Sequence, residues 1–252
     1  MSKLALITGA SSGIGKAFAE QLAAIGMDLV LIARRVQRLE SLAAHLRSMH
    51  GVEVKVCPVD LAEASAAARI AAATASLDIG LLVSNAGFGL KGGHSAHDPR
   101  AMADMLMVNC NTPMQLAHAF IPRLRKRGKG GIILVSSVEA LIGCPYSAAY
   151  SASKAFVRNL GEALWGELTP EGIDVLTICP GATDTEALAR HGIDPATLPN
   201  VMPPEAVAKM TVENLDRGPV LITSEHYKAT FDQLLSMPRR EALAAMAARM
   251  RK

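Results

Sequence analysis

Short apolar runs recur along the chain and alternate with longer segments of helical composition. Seven such runs occur, at positions 4–8, 29–33, 52–57, 79–84, 132–136, 175–179 and 220–223. Most of them are apolar throughout, which is typical of parallel strands that helices cover on both faces. The intervening segments are long enough for crossover helices. The pattern predicts an α/β fold in which helices flank a doubly wound parallel sheet of about seven strands.

The run at 52–57 differs from the others because apolar and charged residues alternate in it. Val52, Val54 and Val56 are separated by Glu53 and Lys55. Such alternation indicates a strand with one wet face. We therefore expect this strand at the edge of the sheet, where one face is less well covered.

The sequence shows no internal repeat and no Pro/Ser/Gly-rich linker, so residues 1–252 are predicted to form a single domain. Two irregular segments, 88–99 and 184–204, follow the carboxyl ends of predicted strands. Ligands bind on this side of open α/β sheets. We interpret 184–204 as a substrate lid and 224–252 as a helical C-terminal extension.

Composition narrows the classes of function. The chain is 50% hydrophobic and 19% charged, with a formal net charge of +3, and this balance creates no global field for nucleic acid. The basic run at 123–129 lacks the interleaved aromatic residues that stack bases. No apolar stretch reaches the roughly 18 to 20 residues of a membrane span, and the N-terminal residues do not resemble an export signal. We expect a cytoplasmic protein with no nucleic-acid partner and no membrane span.

Cysteine and histidine spacing argues against a metal centre. The four cysteines are widely separated and form no CxxC pair, which is typical of reduced thiols. His94 and His97 form an HxxH pair, but no third ligand stands at a matching spacing. The sequence therefore predicts no metal site.

A glycine-rich turn follows the first apolar run. Residues 8–15 are Thr-Gly-Ala-Ser-Ser-Gly-Ile-Gly, and a helical segment begins near Lys16. Glycines let the backbone approach a pyrophosphate, which the N–H groups and dipole of a helix N-terminus stabilise. An ordinary strand-to-helix turn also favours Gly and Ser, but its position after the first strand favours a dinucleotide site of the Rossmann type. The candidate cofactor-binding residues here are Gly9, Ser11, Ser12, Gly13, Ile14 and Gly15.

Two arginines, Arg34 and Arg35, stand at the end of the second run. Proteins that prefer NAD usually place an acidic residue here, against the ribose 2'-hydroxyl. Guanidinium groups instead attract a 2'-phosphate through charge-assisted hydrogen bonds. Solvated arginines at the start of a helix are the alternative interpretation. We expect NADP(H) to be preferred over NAD(H).

A tyrosine and a lysine stand four positions apart in a segment of helical pattern. Tyr150 and Lys154 therefore share one helix face. A free phenol has a pKa of about 10 and is a poor base at neutral pH, but a nearby ammonium group lowers that pKa and makes the phenol usable for proton transfer. A Tyr-x-x-x-Lys pattern alone also occurs by chance on exposed helices. Here Ser137 and residues 85–87 additionally follow the ends of two apolar runs.

Taken in order, these residues resemble the classical short-chain dehydrogenase/reductase family. The resemblance extends from about residue 3 to about residue 223. It comprises the turn at 8–15, Asp60, Leu61, Ser84, Asn85, Ala86, Gly87, Asn109, Ser137, Tyr150, Lys154, Pro180, Gly181 and Thr185. It implies an NAD(P)-dependent oxidoreductase that acts on alcohols and ketones.

The resemblance also implies roles for individual residues. Tyr150 exchanges a proton with the substrate oxygen while hydride moves to or from C4 of the nicotinamide, and Ser137 holds that oxygen. Lys154 binds the nicotinamide ribose and lowers the pKa of Tyr150, and Asn109 holds a water that links Lys154 to solvent. Cofactor contacts are implied, beyond the turn, for Tyr150, Lys154, Asp60, Leu61, Asn85, Ala86, Gly87, Pro180, Gly181, Thr183 and Thr185.

The sequence indicates the substrate less clearly than the reaction or the cofactor. The predicted lid is rich in apolar residues that suit a hydrophobic ketone or alcohol, namely Leu188, Ile193, Leu198, Val201 and Met202. The long tail and residues 77–80 are similar to hydroxysteroid dehydrogenase-like members. A 3-oxoacyl-thioester reductase is an alternative, as is a catalytically silent nucleotide-binding sensor or scaffold. The joint presence of all four catalytic residues favours an enzyme, and the family resemblance implies a homodimer or homotetramer.

Overall fold

The structure, a computed structural model, describes residues 3–250. Positions 251 and 252 of the predicted extension lie outside the described residues. The strands are β1 (Leu4–Thr8), β2 (Asp28–Ala33), β3 (Val54–Pro58), β4 (Leu81–Ser84), β5 (Gly130–Val135), β6 (Ile173–Cys179) and β7 (Val220–Ile222). They form one sheet in the order β3-β2-β1-β4-β5-β6-β7, and every pairing in it is parallel.

Helices connect the strands and cover both faces of the sheet. They are α1 (Gly13–Ala24), α2 (Val36–His50), α3 (Ala66–Ala73), α4 (Pro99–Leu106), α5 (Thr112–Arg127), α6 (Ala148–Leu168), α7 (Glu186–Arg190), α8 (Pro204–Glu213), α9 (Glu225–Ser236) and α10 (Arg239–Met250). The predicted doubly wound, Rossmann-type α/β fold is confirmed. Within residues 3–250, none of the helices combines the length and apolar character needed to cross a membrane.

Successive residues of each central strand enter different core layers. In β1, Ala5 and Ile7 are buried in the layer that contains α1, α2 and α8, whereas Leu6 is buried in the layer that contains α3, α5 and α6. Side chains alternate across a strand, so a strand covered on both faces must be apolar at every position. This explains the uniform apolar runs in the sequence.

The alternating run is an edge strand, as predicted. β3 lies at one end of the strand order and pairs with β2. Val54 is buried, whereas Lys55 is exposed. The charged residues of this run therefore stay in contact with water.

The two C-terminal helices pack beside the sheet edge formed by β7. Phe231 and Leu234 of α9 and Met246 of α10 share a core cluster with Val138 and Cys144, which follow β5. The residues after β7 therefore cover the segment that leads from the sheet to α6.

Candidate active site

A large crevice opens at the carboxyl ends of the strands, between β1 and β4. At this point the order in which successive strands are added to the sheet reverses. Its volume is about 1800 Å³. Almost all the predicted site residues line it, including the glycine-rich turn, both arginines, Ser137, Tyr150 and Lys154. Of the predicted residues, Gly15 and Asn109 do not contribute to the wall and lie behind it. This is the position where open α/β sheets bind ligands.

The glycine-rich turn is shaped by close backbone contacts. Gly9 and Gly13 have φ angles of +69° and +54°, a region that side chains with a Cβ rarely adopt. A Cβ at Gly15 would lie 2.3 Å from the carbonyl oxygen of Gly9. α1 begins within this turn at Gly13, so its free N–H groups are available to an anion in the crevice.

The turn is tied to the loop that follows β4. The amide of Asn85 donates to the carbonyl of Thr8 at 2.9 Å. The Thr8 hydroxyl accepts hydrogen bonds from the backbone N–H groups of Asn85 and Ala86 at 3.0 and 3.1 Å. These bonds fix the distance between the two walls of the crevice.

The two arginines after β2 have different partners. Arg35 lies across the turn, and its guanidinium donates to the hydroxyls of Ser11 at 3.0 and 3.1 Å and of Ser12 at 2.6 Å. Arg34 points to the other wall, where Nη1 lies 3.7 Å from Oδ2 of Asp60. The guanidinium beside the turn is therefore that of Arg35.

Lys154 is buried at the centre of the site. Nζ donates to the carbonyl of Val135, at the end of β5, at 2.9 Å, and the Ser136 hydroxyl donates to the Lys154 carbonyl at 2.7 Å. Nζ lies 5.8 Å from the ring centroid of Tyr150, one helical turn earlier. Burial lowers the pKa of Lys154 to about 8. α6 is thus fastened to the end of β5 at the turn that carries both residues.

Asn109 lies in a π-helical turn, Met107–Asn111, between α4 and α5. Its amide donates to the carbonyl of Phe88 at 2.9 Å and to the hydroxyl of Ser153 at 3.0 Å, and its Oδ1 accepts from the Phe88 N–H at 3.1 Å. A Cβ at Gly87 would lie 2.9 Å from Lys154 Nζ and 3.1 Å from Asn109 Oδ1. The side chains of Asn109 and Lys154 therefore meet at Gly87, against the loop after β4.

Burial dominates the protonation of Tyr150. It raises the pKa of the phenol, the nearby Glu139 carboxylate raises it further, and a side-chain hydrogen bond with Ser137 lowers it. The sequence led us to expect a pKa lowered by Lys154. In the protein alone the opposite direction prevails, because desolvation of the phenolate and the Glu139 carboxylate outweigh the hydrogen bond with Ser137.

The loop after β6 joins the turn to the predicted lid. The Thr183 hydroxyl donates to the carbonyl of Gly181 at 3.1 Å, and Thr185 caps α7 by accepting from the N–H of Ala187 at 3.3 Å. The Cγ2 atom of Thr185 leaves no room for a side chain at Gly13. This loop therefore begins in direct contact with the glycine-rich turn.

Sequence reasoning missed an ion pair on the substrate side. Lys91 Nζ lies 2.5 Å from Oε1 of Glu139, donates to the hydroxyl of Ser147 at 3.0 Å, and lies 5.3 Å from the ring centroid of Tyr150. Lys91 and Glu139 both line the crevice. No sequence signal links them, because they come from loops after different strands.

A second group that the sequence did not indicate is centred on Glu186, the first residue of α7. Its carboxylate accepts hydrogen bonds from Arg35 at 2.8 Å, from Arg190 at 3.0 Å, and from Arg38. These arginines hold the pKa of Glu186 at about 2, with Arg38 making the largest contribution. The carboxylate is therefore ionised at neutral pH.

The C-terminal helices reach the same crevice. Tyr227 and Phe231 of α9, and Met246 and Arg249 of α10, contribute to its wall. The ring of Tyr227 leaves no space for a Cβ at Gly181. Among residues 3–250, no group of three His, Cys, Asp or Glu side chains is arranged to hold a metal ion.

Comparisons with known proteins agree on one family. A family model described as short chain dehydrogenase matches residues 3–195. The 7beta-hydroxysteroid dehydrogenase of Clostridium sardiniense is 31% identical over 96% of this chain and 93% of that protein. A very-long-chain 3-oxoacyl-CoA reductase of Meyerozyma guilliermondii is 33% identical over 85% of this chain and 65% of that protein.

A solved structure shares both the fold and the sequence pattern. The short-chain dehydrogenase from Sphingobium yanoikuyae, in complex with NADPH, superimposes with a TM-score of 0.85 at 37% identity, covering 96% of this chain and 95% of that one. The family model covers well over half of the chain. The chain therefore belongs to the short-chain dehydrogenase/reductase family and is an oxidoreductase that acts on CH–OH groups.

Proposed function

We propose that this enzyme interconverts a hydrophobic secondary alcohol and its ketone with NADP(H), and that Tyr150 transfers the proton. The observation that carries the proposal is the meeting of Tyr150, Ser137 and Lys154 at one wall of the crevice. A phenol hydrogen-bonded to a hydroxyl, with an ammonium group 5.8 Å from the centre of its ring, can hold a carbonyl oxygen and protonate it.

The crevice fits a dinucleotide. The turn with Gly9 and Gly13 presents backbone N–H groups at the start of α1, and a guanidinium, that of Arg35, stands beside it. Bound NADPH would supply the hydride from C4 of its nicotinamide. Asp60 and Leu61 line one end of the same crevice and Pro180 the other, which is the span that an extended cofactor would occupy.

The proton is assigned to Tyr150 in the direction of ketone reduction. Its raised pKa keeps the phenol protonated at neutral pH, so Tyr150 carries the proton that the carbonyl oxygen would receive. Ser137 holds that oxygen through its hydroxyl. The ammonium of Lys154 has donors beyond the one used by Val135, and we assign these to the nicotinamide ribose. The water assigned to Asn109 stays a prediction.

The substrate side combines apolar walls with charged side chains. Leu188, Ile193 and Leu198 of the proposed lid line the crevice, and the ends of this segment are held together by the bridge between Thr183 and Met202. The ion pair Lys91–Glu139 adds charge to these walls, which also include Asp194 and Arg249. A bulky, largely apolar ketone with one polar group fits these walls. The relative named a 7beta-hydroxysteroid dehydrogenase supports this substrate, and the neighbour in complex with NADPH supports this cofactor.

A 3-oxoacyl-thioester reductase is the second candidate, supported by the relative named a very-long-chain 3-oxoacyl-CoA reductase. The decisive experiment measures kcat/KM for steroid, cyclic and aromatic ketones and for 3-oxoacyl thioesters, each with NADPH and with NADH. We expect the highest values with NADPH and a bulky ketone. Reduction of thioesters alone would favour the second candidate, and a strict NADH requirement would contradict the cofactor assignment.

Replacing Glu139 with glutamine is expected to lower the pKa of Tyr150. The carboxylate raises that pKa at present, and its removal leaves the Lys91 ammonium unopposed 5.3 Å from the ring. In alcohol oxidation Tyr150 must accept a proton, so the rise of kcat/KM with pH should move to lower pH. The control Glu167→Gln, on the exposed face of α6, should leave the profile in place. A shift to higher pH would contradict the assignment.

We propose that the chain forms a homodimer or homotetramer through the face that carries α5 and α6. Met114 of α5 and Phe156 of α6 are 41% and 39% exposed, and both helices cover the same side of the sheet. Phe156→Glu should reduce the molar mass measured by light scattering. The control Ile25→Glu, on the opposite layer beside α1, should not. A monomeric wild type would contradict the proposal.

A further inference from the structure

We propose that Glu186 weakens the binding of NADP(H) because it occupies the arginines that would bind the cofactor's 2'-phosphate. Glu186 thereby reduces the preference of the enzyme for NADP(H) over NAD(H). The inference rests on the proposed dinucleotide site beside Arg35. It adds a selectivity residue that lies in the lid, far along the chain from the end of β2.

Glu186 is held as a bound anion is held. Its Oε2 accepts from Arg35 at 2.8 Å and from Arg190 at 3.0 Å, and its Oε1 accepts from Arg38. Two of these arginines belong to the segment after β2, where a 2'-phosphate is expected. The carboxylate therefore occupies guanidinium donors that a 2'-phosphate would use.

The protein already uses the donors of Arg35 on each side of its guanidinium. Nε and Nη2 bind the hydroxyls of Ser11 and Ser12, while Nη1 binds Glu186. A phosphate can gain charge-assisted bonds to this guanidinium only by replacing some of these contacts. The bond to Glu186 is the one whose replacement also removes a like charge from the site.

Charge makes the competition direct. The pKa of Glu186 is about 2, so its side chain is an anion at neutral pH in the protein that the cofactor meets. A 2'-phosphate placed on the same arginines would face that anion at short range, and like charges at short range raise the free energy. The phosphate must displace the carboxylate or bind beside it, and both lower its affinity.

NADH does not encounter this penalty. Its ribose carries a neutral 2'-hydroxyl, which can donate to a carboxylate. The end of β2 offers Arg34 and Arg35 and no acidic residue, and Glu186 brings a carboxylate to the same place from the lid. Glu186 therefore acts against the arginines in cofactor selection.

The test is the dissociation constant of NADPH and of NADH, which differ only in the 2'-phosphate, for the wild type and for Glu186→Gln. We expect the variant to bind NADPH about tenfold more tightly, because a tenfold change corresponds to a modest electrostatic free energy at a partly exposed site. NADH binding should stay the same or weaken. The gain should shrink at high salt, as exposed charges are screened.

Controls separate this effect from a general loss of charge. Glu171→Gln removes a carboxylate that pairs with Arg125, on the other side of the molecule from the crevice, and should change neither constant. Arg38→Gln should weaken NADPH and leave NADH unchanged. Thermal unfolding of each variant without cofactor reports whether the fold is retained.

Two results for Glu186→Gln would overturn the inference alone. Unchanged NADPH binding in Glu186→Gln would mean that the carboxylate does not compete, and selectively weaker NADPH binding would mean that it positions the arginines instead. In both cases a wild type that binds NADPH still supports the proposed function. A wild type that binds NADH but not NADPH would refute the cofactor assignment and this inference together.

Discussion

Tyr150→Phe is expected to lower kcat for ketone reduction by about two to four orders of magnitude, the range for loss of a general acid. The variant keeps the ring that lines the crevice and removes the hydroxyl that the mechanism uses. Its dissociation constant for NADPH should change little, because the turn, the arginines and Lys154 are untouched. Steady-state kinetics and fluorescence titration of NADPH together measure both effects.

The control for this prediction is Tyr146→Phe. Tyr146 lines the same crevice but lies outside α6, four positions before Tyr150. It should retain most of the wild-type kcat. Equal activity of Tyr150→Phe and wild type would refute the proton-transfer role, and loss of NADPH binding in Tyr150→Phe would show that the hydroxyl serves mainly to hold the cofactor.

The direction of the Tyr150 pKa affects how the reaction is understood. A phenol whose pKa is raised by burial stays protonated at neutral pH, although it is a weaker acid than a free phenol. The protein alone therefore holds the proton that ketone reduction consumes. A cation that arrives with a ligand would lower the pKa of Tyr150. The raised pKa therefore applies to the enzyme before the cofactor binds.

Much of the fold followed from the sequence because buried parallel strands leave a clear apolar signature. The first and last residues of individual strands were predicted less accurately from the sequence. The fifth strand was predicted at 132–136, but β5 begins at Gly130. Gly131 pairs with Leu81 of β4, and a Cβ there would lie 3.1 Å from the Leu81 side chain. Gly131 allows the two strands to pack closely, and a pattern of hydrophobic residues does not reveal such a position.

The predicted site residues lie together because the carboxyl ends of parallel strands meet at one edge of the sheet. The residues that were missed have no such signature. Lys91 and Glu139 are 48 positions apart, and Arg35 and Glu186 are 151 apart. No helical or strand period relates residues at these separations. Their pairing depends on how the loops fold over the crevice, which only the structure describes.

Helix α6 carries Tyr150 and Lys154, and its contact with β6 depends on one small residue. Gly161 of α6 is buried, and a Cβ at this position would lie 1.8 Å from Oγ1 of Thr177 in β6. Thr177 is fully buried, so its side chain cannot move aside into solvent. Any larger residue at Gly161 must push the helix away from the sheet.

Gly161→Ala is therefore expected to lower the free energy of unfolding by about 1 to 3 kcal/mol or more, the range for overpacked cores. For a chain of this size that corresponds to a fall in Tm of roughly 2 to 10 °C, measurable by calorimetry. Gly166→Ala is the matched control: it lies on the same helix with no atom within 4 Å of its added Cβ, and should raise stability slightly through helix propensity. Thr177→Ala removes the clashing oxygen, so Gly161→Ala should cost less in that background. Equal Tm values for the two glycine variants would show that α6 is not held by this contact.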